Sequence, residues 1–230
     1  MGLQLGFDGS IRLMGRDEAS IHEAIRATLD VYRAYCADIE PSDGPYWRIV
    51  FAILSVHSPI QATFEAYRAV RLAHAMGGWP GRAKLARIIG QVRANGAVLY
   101  HVQKARYILA FDAAWAVDRA AFEPNGDNDL EWRDRLRRNV LGLGWAKASF
   151  AVALSKPTTS DVCCIDSHMH QLLTGRMVRG QLGKRAYLAL ETRVRNLASE
   201  YGVSTFAMQW LLWDAKRGIS EPHSALKEAA

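Results

Sequence analysis

The chain has 230 residues, enough for one large domain or two lobes sharing a core, and half of them are hydrophobic, which excludes a disordered protein. No apolar run reaches the roughly 18 residues of a membrane span, and the opening MGLQLGFDGS lacks the basic region and apolar stretch of a secretory signal, so an intracellular protein is expected. The net charge of +6 favours an anionic partner such as nucleic acid, though a solvated, slightly basic surface accounts for it equally well.

In chain order, Leu3, Leu5 and Phe7 alternate ahead of Asp8-Gly9, the pattern of a small β-hairpin. A helical period then takes over. It predicts helices over 17–37, 46–56, 59–75, 83–95, 99–117, 129–140, 145–155, 166–174, 184–201 and 204–217. Breakers part them: PSDGP at 41–45, GGWPG at 77–81, EPNGDND at 123–129 and KPTTSD at 156–161. Ile60, Phe64 and Tyr67 mark one buried helix face, and Ile165, Met169 and Leu172 another. The fold expected is all-α apart from the N-terminal hairpin.

Two features carry chemistry. Gly142-Leu143-Gly144 joins two helical segments, LEWRDRLRRNV and WAKASFAVAL. Its glycines let the backbone turn tightly and leave the next helix's first amides open to a phosphate, while Leu143 can pack between the helices. A plain helix–helix connection has the same sequence signature. Asp166 is the second feature. Placed on a helix one residue after the buried Ile165, it points about 100° away from the core and is free to face a cleft. A helix N-cap is the alternative role for an aspartate there. Cys36, Cys163 and Cys164 form no disulfide framework and cannot supply four thiolates to an iron–sulfur cluster. Adjacent cysteines beside His168 and His170 also suit no usual zinc spacing.

Taken together, the G-x-G turn, a small-residue helix and IDSHMHQLL resemble the helix-hairpin-helix DNA glycosylases, among them endonuclease III and the 8-oxoguanine DNA glycosylases. In these a hairpin of the form L-P-G-V-G precedes an apolar helix and a V-D-x-H segment. WRIVFAILSVHSPIQAT, QKARYIL at 103–109 and QWLLWDAKRG at 209–218 are similar to further family segments. The resemblance implies two helical lobes with a DNA-binding cleft. Residues 46–166 would form the lobe carrying the hairpin, and 1–45 with 167–230 the other. It implies double-stranded DNA with a damaged or modified base as partner, a monomer associated with DNA in the cytoplasm, and no membrane. No cofactor or iron–sulfur cluster is implied, and a monovalent cation at the hairpin is the one ion allowed.

The resemblance also assigns residues. Asp166 would stabilise the positive charge left on the sugar as the base departs. Bifunctional relatives place an attacking lysine second after the hairpin's last glycine. Here that position is Ala146, and Lys147 comes third, turned by about 100°. Lys147 is thus a candidate for imine formation, with a water nucleophile as the other route. Gly142, Leu143, Gly144, Trp145 and Arg138 would hold DNA, with Arg133, Arg135 and Arg137 nearby. His57, Ser58, Gln61 and His168 would border the base pocket or the lesion strand. Trp79 stands outside this set, since a tryptophan is more often core. The function expected is base excision, with oxidised guanine as substrate. An enzyme of phage-type modified-base metabolism and a non-catalytic DNA-binding module are the alternatives.

Overall fold

The computed structural model describes residues 18–39, 44–92, 97–126, 128–176, 180 and 182–217. Among them the chain forms ten α-helices and one short 3-10 turn, with no strand. The β-hairpin expected at residues 3–9 lies outside the described residues. Helix α1 is Glu18–Asp38, α2 Pro45–Leu54, α3 Ile60–Ala75, α4 Arg82–Gly90 and α5 His101–Val117. They are followed by α6 Asp129–Asn139, α7 Trp145–Ser155, α8 Ser167–Thr174, α9 Lys184–Glu200 and α10 Thr205–Arg217. The fourth helix stops well before the predicted 95. Its last residue, Gly90, faces the start of α5, where a side-chain carbon would come within 3.0 Å of the His101 ring.

The helices group into two compact units. One holds α2 to α7. Helix α2 is apolar almost all round, and Arg48 to Leu54 are buried, as befits a central helix. It packs on α3, α5 and α7, and the buried residues of α7 include the small Ala148 and Ala151. Phe51 meets the rings of Phe64, Tyr67 and Phe150 at centroid distances of 5.0 to 5.9 Å. Trp79 belongs to a second aromatic cluster: its indole N–H donates to Tyr46 Oη at 2.9 Å, and its ring lies against Trp47 and His74.

The other unit is built from both ends of the described chain, α1 with α8, α9 and α10. Ile25, Tyr32 and Cys36 form the buried stripe of α1, which packs on α10, and Ile39 is buried just after it. There Tyr32 donates a buried hydrogen bond of 2.5 Å to Asp214, and burial foremost, then that carboxylate, push the phenol well above its ordinary range. The division between units falls between Ser155 and Lys156, eleven residues before the boundary drawn after Asp166 from sequence. The reason is hydrogen bonding. The segment leading to Asp166 is tied to α9 and α10: the Thr205 amide donates to Ser160 O at 3.0 Å, and its hydroxyl lies 2.7 Å from the carbonyls of Ser160 and Val162.

Candidate functional site

The hairpin grows out of a well-capped helix. Asn128 Oδ1 accepts the Glu131 amide at 3.0 Å, and acidic Asp129 and Glu131 meet the positive end of α6 while Arg137 and Arg138 meet its negative end. Val140 leaves the helix in extended conformation and buries its side chain. Gly142 then turns with φ 87°, in the left-handed region. It has a second reason to be glycine, because a Cβ would stand 2.5 Å from the Tyr107 ring. Leu143 is buried, as expected of the residue that sets the angle between α6 and α7. The Gly144 carbonyl accepts the Ala148 amide at 2.9 Å and opens α7. Gly144 has no side chain to cap that helix, and among the described residues no acceptor meets the amides of Ala146 and Lys147.

The side chains around the turn divide into separate roles. Trp145 is half-buried, with the guanidinium carbons of Arg133 and Arg137 at 4.9 and 4.3 Å from its ring centroid. Arg135 donates to the Glu123 carbonyl. Of the four arginines of α6, Arg138 alone is exposed. Ala146 and Lys147 are half-buried, and the Lys147 ammonium lies 5.2 Å from the Phe150 ring centroid.

His57, Ser58 and Gln61 come together in the α2–α3 connection and the first turn of α3. His57 and Gln61 are exposed, and Ser58 is half-buried. His57 adopts φ 51°, and Tyr100, at the start of α5, adopts φ 55°; among the described residues these are the two non-glycine residues with positive φ. Their rings meet edge-on at 5.8 Å. Beneath them lies a residue the sequence reading did not single out. The Lys104 ammonium is buried and donates to the Leu54 carbonyl at 2.7 Å and to Ser58 Oγ at 2.6 Å. Burial first, and repulsion from Lys147 second, bring it down from 10.5 to about 7. Its position within QKARYIL was the available signal, but a lysine is rarely buried without an acidic partner, so exposure was the better prior.

In the other unit, Asp166 takes the helix-capping role that the sequence offered. It precedes α8 in extended conformation, with φ −84° and ψ −175°. Oδ1 accepts the Met169 amide at 2.9 Å and caps the helix, while Oδ2 meets no donor among the described residues. The expected 100° separation from Ile165 is replaced by the alternation of an extended chain, because the helix starts only at Ser167. Ile165 is buried and Asp166 half-exposed.

The approach to Asp166 is held unusually firmly. The amides of Val162, Cys163, Cys164 and Ile165 donate in turn to Ser160 Oγ at 3.2 Å, Glu191 Oε1 at 3.2 Å, Gln209 Oε1 at 2.6 Å and Tyr187 Oη at 3.2 Å. The Tyr187 hydroxyl in turn donates to the Cys163 carbonyl at 2.7 Å. Sequence offered no sign of Glu191, Tyr187 and Gln209 as partners, which lie on α9 and α10. His168 is exposed in the first turn of α8, whereas His170 Nδ1 lies 2.8 Å from the Arg176 carbonyl, so the two histidines face different surroundings. Cys163 and Cys164 are buried and form no disulfide among the described residues. Among the described residues no three His, Cys, Asp or Glu side chains gather in a metal-binding group.

This architecture is that of solved 8-oxoguanine DNA glycosylases. The enzyme of Thermotoga maritima is similar with a TM-score of 0.71 at 16% identity, over 89% of this chain and 97% of that one. The 8-oxoguanine glycosylase/lyase of Methanocaldococcus jannaschii, in complex with a 15mer DNA containing 8-oxoguanine, gives 0.71 at 16% identity over 89% and 98%. No curated protein matches the sequence. The family model of the helix-hairpin-helix 8-oxoguanine DNA glycosylases matches residues 42–203, and the chain belongs to that family. It is a DNA glycosylase of base excision repair. Among the described residues no helix is long and apolar enough to cross a membrane.

Proposed function

We propose that this protein removes oxidised guanine from double-stranded DNA, holding the backbone with the Gly142–Gly144 turn and cleaving the N-glycosidic bond with Asp166. A base inside a duplex is out of reach, so the nucleotide is first extruded. The observation that carries the reading is the division of labour at Asp166. One carboxylate oxygen fixes the side chain through the Met169 amide, and the other is left for the reacting sugar. That oxygen stabilises the charge developing at C1′ and orients the attacking group.

Water is the attacking group in this reading. Ala146 occupies the place where bifunctional relatives carry lysine, and Lys147 lies along the aromatic face of Phe150. The enzyme works as a monomer on DNA in the cytoplasm and needs no cofactor. The test is incubation with duplexes carrying 8-oxoguanine, uracil, alkylated bases or phage-type modified thymines, with free base and strand breaks scored separately. Release of 8-oxoguanine that is lost in Asp166→Asn supports the reading. Release of a modified thymine instead would move the protein to modified-base metabolism, and DNA binding without any release would make it a binding module.

A further inference from the structure

The four residues before Asp166 raise a question of economy. Val162 to Ile165 are buried and lie outside any helix, yet they pair with no strand among the described residues. Buried amides must find acceptors, and in most proteins a neighbouring strand or a helical turn supplies them. Here each acceptor is a side chain, and three of the four, Glu191, Tyr187 and Gln209, come from helices α9 and α10. A hydrogen bond to a neighbouring loop lets the two move together. Bonds to two helices fix the segment in the frame of the unit's core.

We propose that Tyr187 and Gln209 are positioning residues for the reaction, setting the Asp166 carboxylate through the backbone of Cys163 to Ile165. Tyr187 is the stronger of the two. Its hydroxyl accepts from the Ile165 amide and donates to the Cys163 carbonyl, so one oxygen spans the last turn of chain before Asp166. The side chain is buried, with 1% of its surface exposed, which denies it a water in place of either bond. Gln209 holds the intervening Cys164 amide at 2.6 Å. Glu191 is part of the same clamp but also pairs with Arg195 at 3.7 Å, so its removal would disturb more than the segment. Neither Tyr187 nor Gln209 touches the Asp166 side chain. They act through the peptide groups that carry it, and a misplacement of about 1 Å at a reacting group is enough to cost about 100-fold in rate.

This inference rests on the reading of Asp166 as the catalytic carboxylate, and the experiment separates the two. Tyr187→Phe removes one oxygen and leaves the ring, and Gln209→Met keeps the length and removes the acceptor. Each is assayed below its melting temperature, in single turnover with enzyme saturating a duplex carrying 8-oxoguanine. The expected result is a rate about 10- to 100-fold lower, with duplex affinity unchanged. In an Asp166→Asn background neither substitution should lower the residual rate further, because both act through that carboxylate. Hydrogen exchange at the Met169 amide, which donates to Asp166, should quicken about tenfold, a readout independent of turnover. Rates within about twofold of wild type with normal Met169 protection, beside an inactive Asp166→Asn, would overturn the inference and leave the catalytic reading standing. An additional loss in the Asp166→Asn background would overturn it too, since it would reveal a merely structural role. Full activity in Asp166→Asn would remove the catalytic reading and this inference with it.

Discussion

The turn at Gly142–Trp145 and the segment from Val162 to Asp166 handle their backbone amides in opposite ways. At the turn, two amides opening α7 have no acceptor among the described residues, and the residue that could have capped them is a glycine. Before Asp166, four successive amides are each closed by a side chain. A surface that holds phosphate without regard to base needs open donors and tolerates a small shift along the duplex. A carboxylate that must face one carbon atom needs a fixed approach. In the proposed reading the same chemical group, the peptide N–H, is left open where it is to bind phosphate and closed where it is to position Asp166.

The sharpest way to break this comparison is at Asp166 itself. Asp166→Asn keeps an oxygen that can cap the Met169 amide, so the melting temperature should barely move. It removes the negative charge, and the single-turnover rate of base release should fall about 1000-fold, at the upper end of what one electrostatic group contributes. Duplex affinity should be nearly unchanged. A variant with normal turnover would show that the closed segment serves only to start α8.

Much of this arrangement could be read from the sequence, and the reasons are local. Helix α7 was expected at 145–155 and spans Trp145–Ser155, because a glycine stands immediately before it and KPTTSD begins just after. The buried faces at Phe64, Tyr67, Met169 and Leu172 follow from helical spacing, and the burial of Leu143 from its place in the turn between two helices. Whatever depends on distant partners was hidden. The acceptors for Cys163, Cys164 and Ile165 lie 22 to 45 residues further along the chain and look like ordinary polar positions on amphipathic helices. Tyr107, which forbids a side chain at Gly142, sits on another helix, and a glycine's own sequence context cannot reveal it. The arginines of α6 also read alike, yet two face Trp145, one holds a carbonyl and Arg138 reaches solvent.

Lys104 sharpens the comparison within the hairpin's own unit, since it closes the carbonyl end of α2 with a buried charge instead of leaving it to water. Its folded value of about 7 lies below the ordinary 10.5 of the unfolded chain. Between these values the unfolded state binds more protons, so stability should rise with pH across that window, and the penalty should be constant below it. The slope attributable to this group is at most about 1.4 kcal/mol per pH unit. Chemical denaturation of wild type and Lys104→Met at pH 7, 8 and 9 measures it. Tyrosines and the remaining lysines contribute to both curves, so the difference between the two isolates Lys104. Parallel curves would mean that the ammonium keeps its proton through the window.

A smaller effect is expected at the open turn. Gly142→Ala adds a Cβ at positive φ and forces it toward Tyr107, which displaces the turn. Affinity should drop about tenfold for every duplex alike, measured at fixed salt, because the lost contacts carry no base information. The salt dependence should stay as it was, since uncharged amides replace no cation. Arg138→Ala should do the reverse and lower the slope of log affinity against log salt by about one. A Gly142→Ala protein with unchanged affinity would reduce the turn to a connector.

The smallest effect is expected at Lys147. An amine that attacks C1′ must be neutral and must approach along the axis of the departing base, and Lys147 is one helical step away from the position that does so in bifunctional relatives. Lys147→Ala should therefore lower base release by less than about threefold, the size of a lost phosphate or packing contact. Borohydride, which reduces an imine to a stable amine, should trap little wild-type enzyme on the preferred duplex. Strong trapping in wild type that disappears in Lys147→Ala would make Lys147 the nucleophile and give the enzyme a strand-cleaving step. Ala146→Lys completes the comparison. If it gains trapping while its base release stays near that of wild type, the site keeps the geometry for an attacking amine and lacks only the amine, so water acts at Asp166 because residue 146 is alanine.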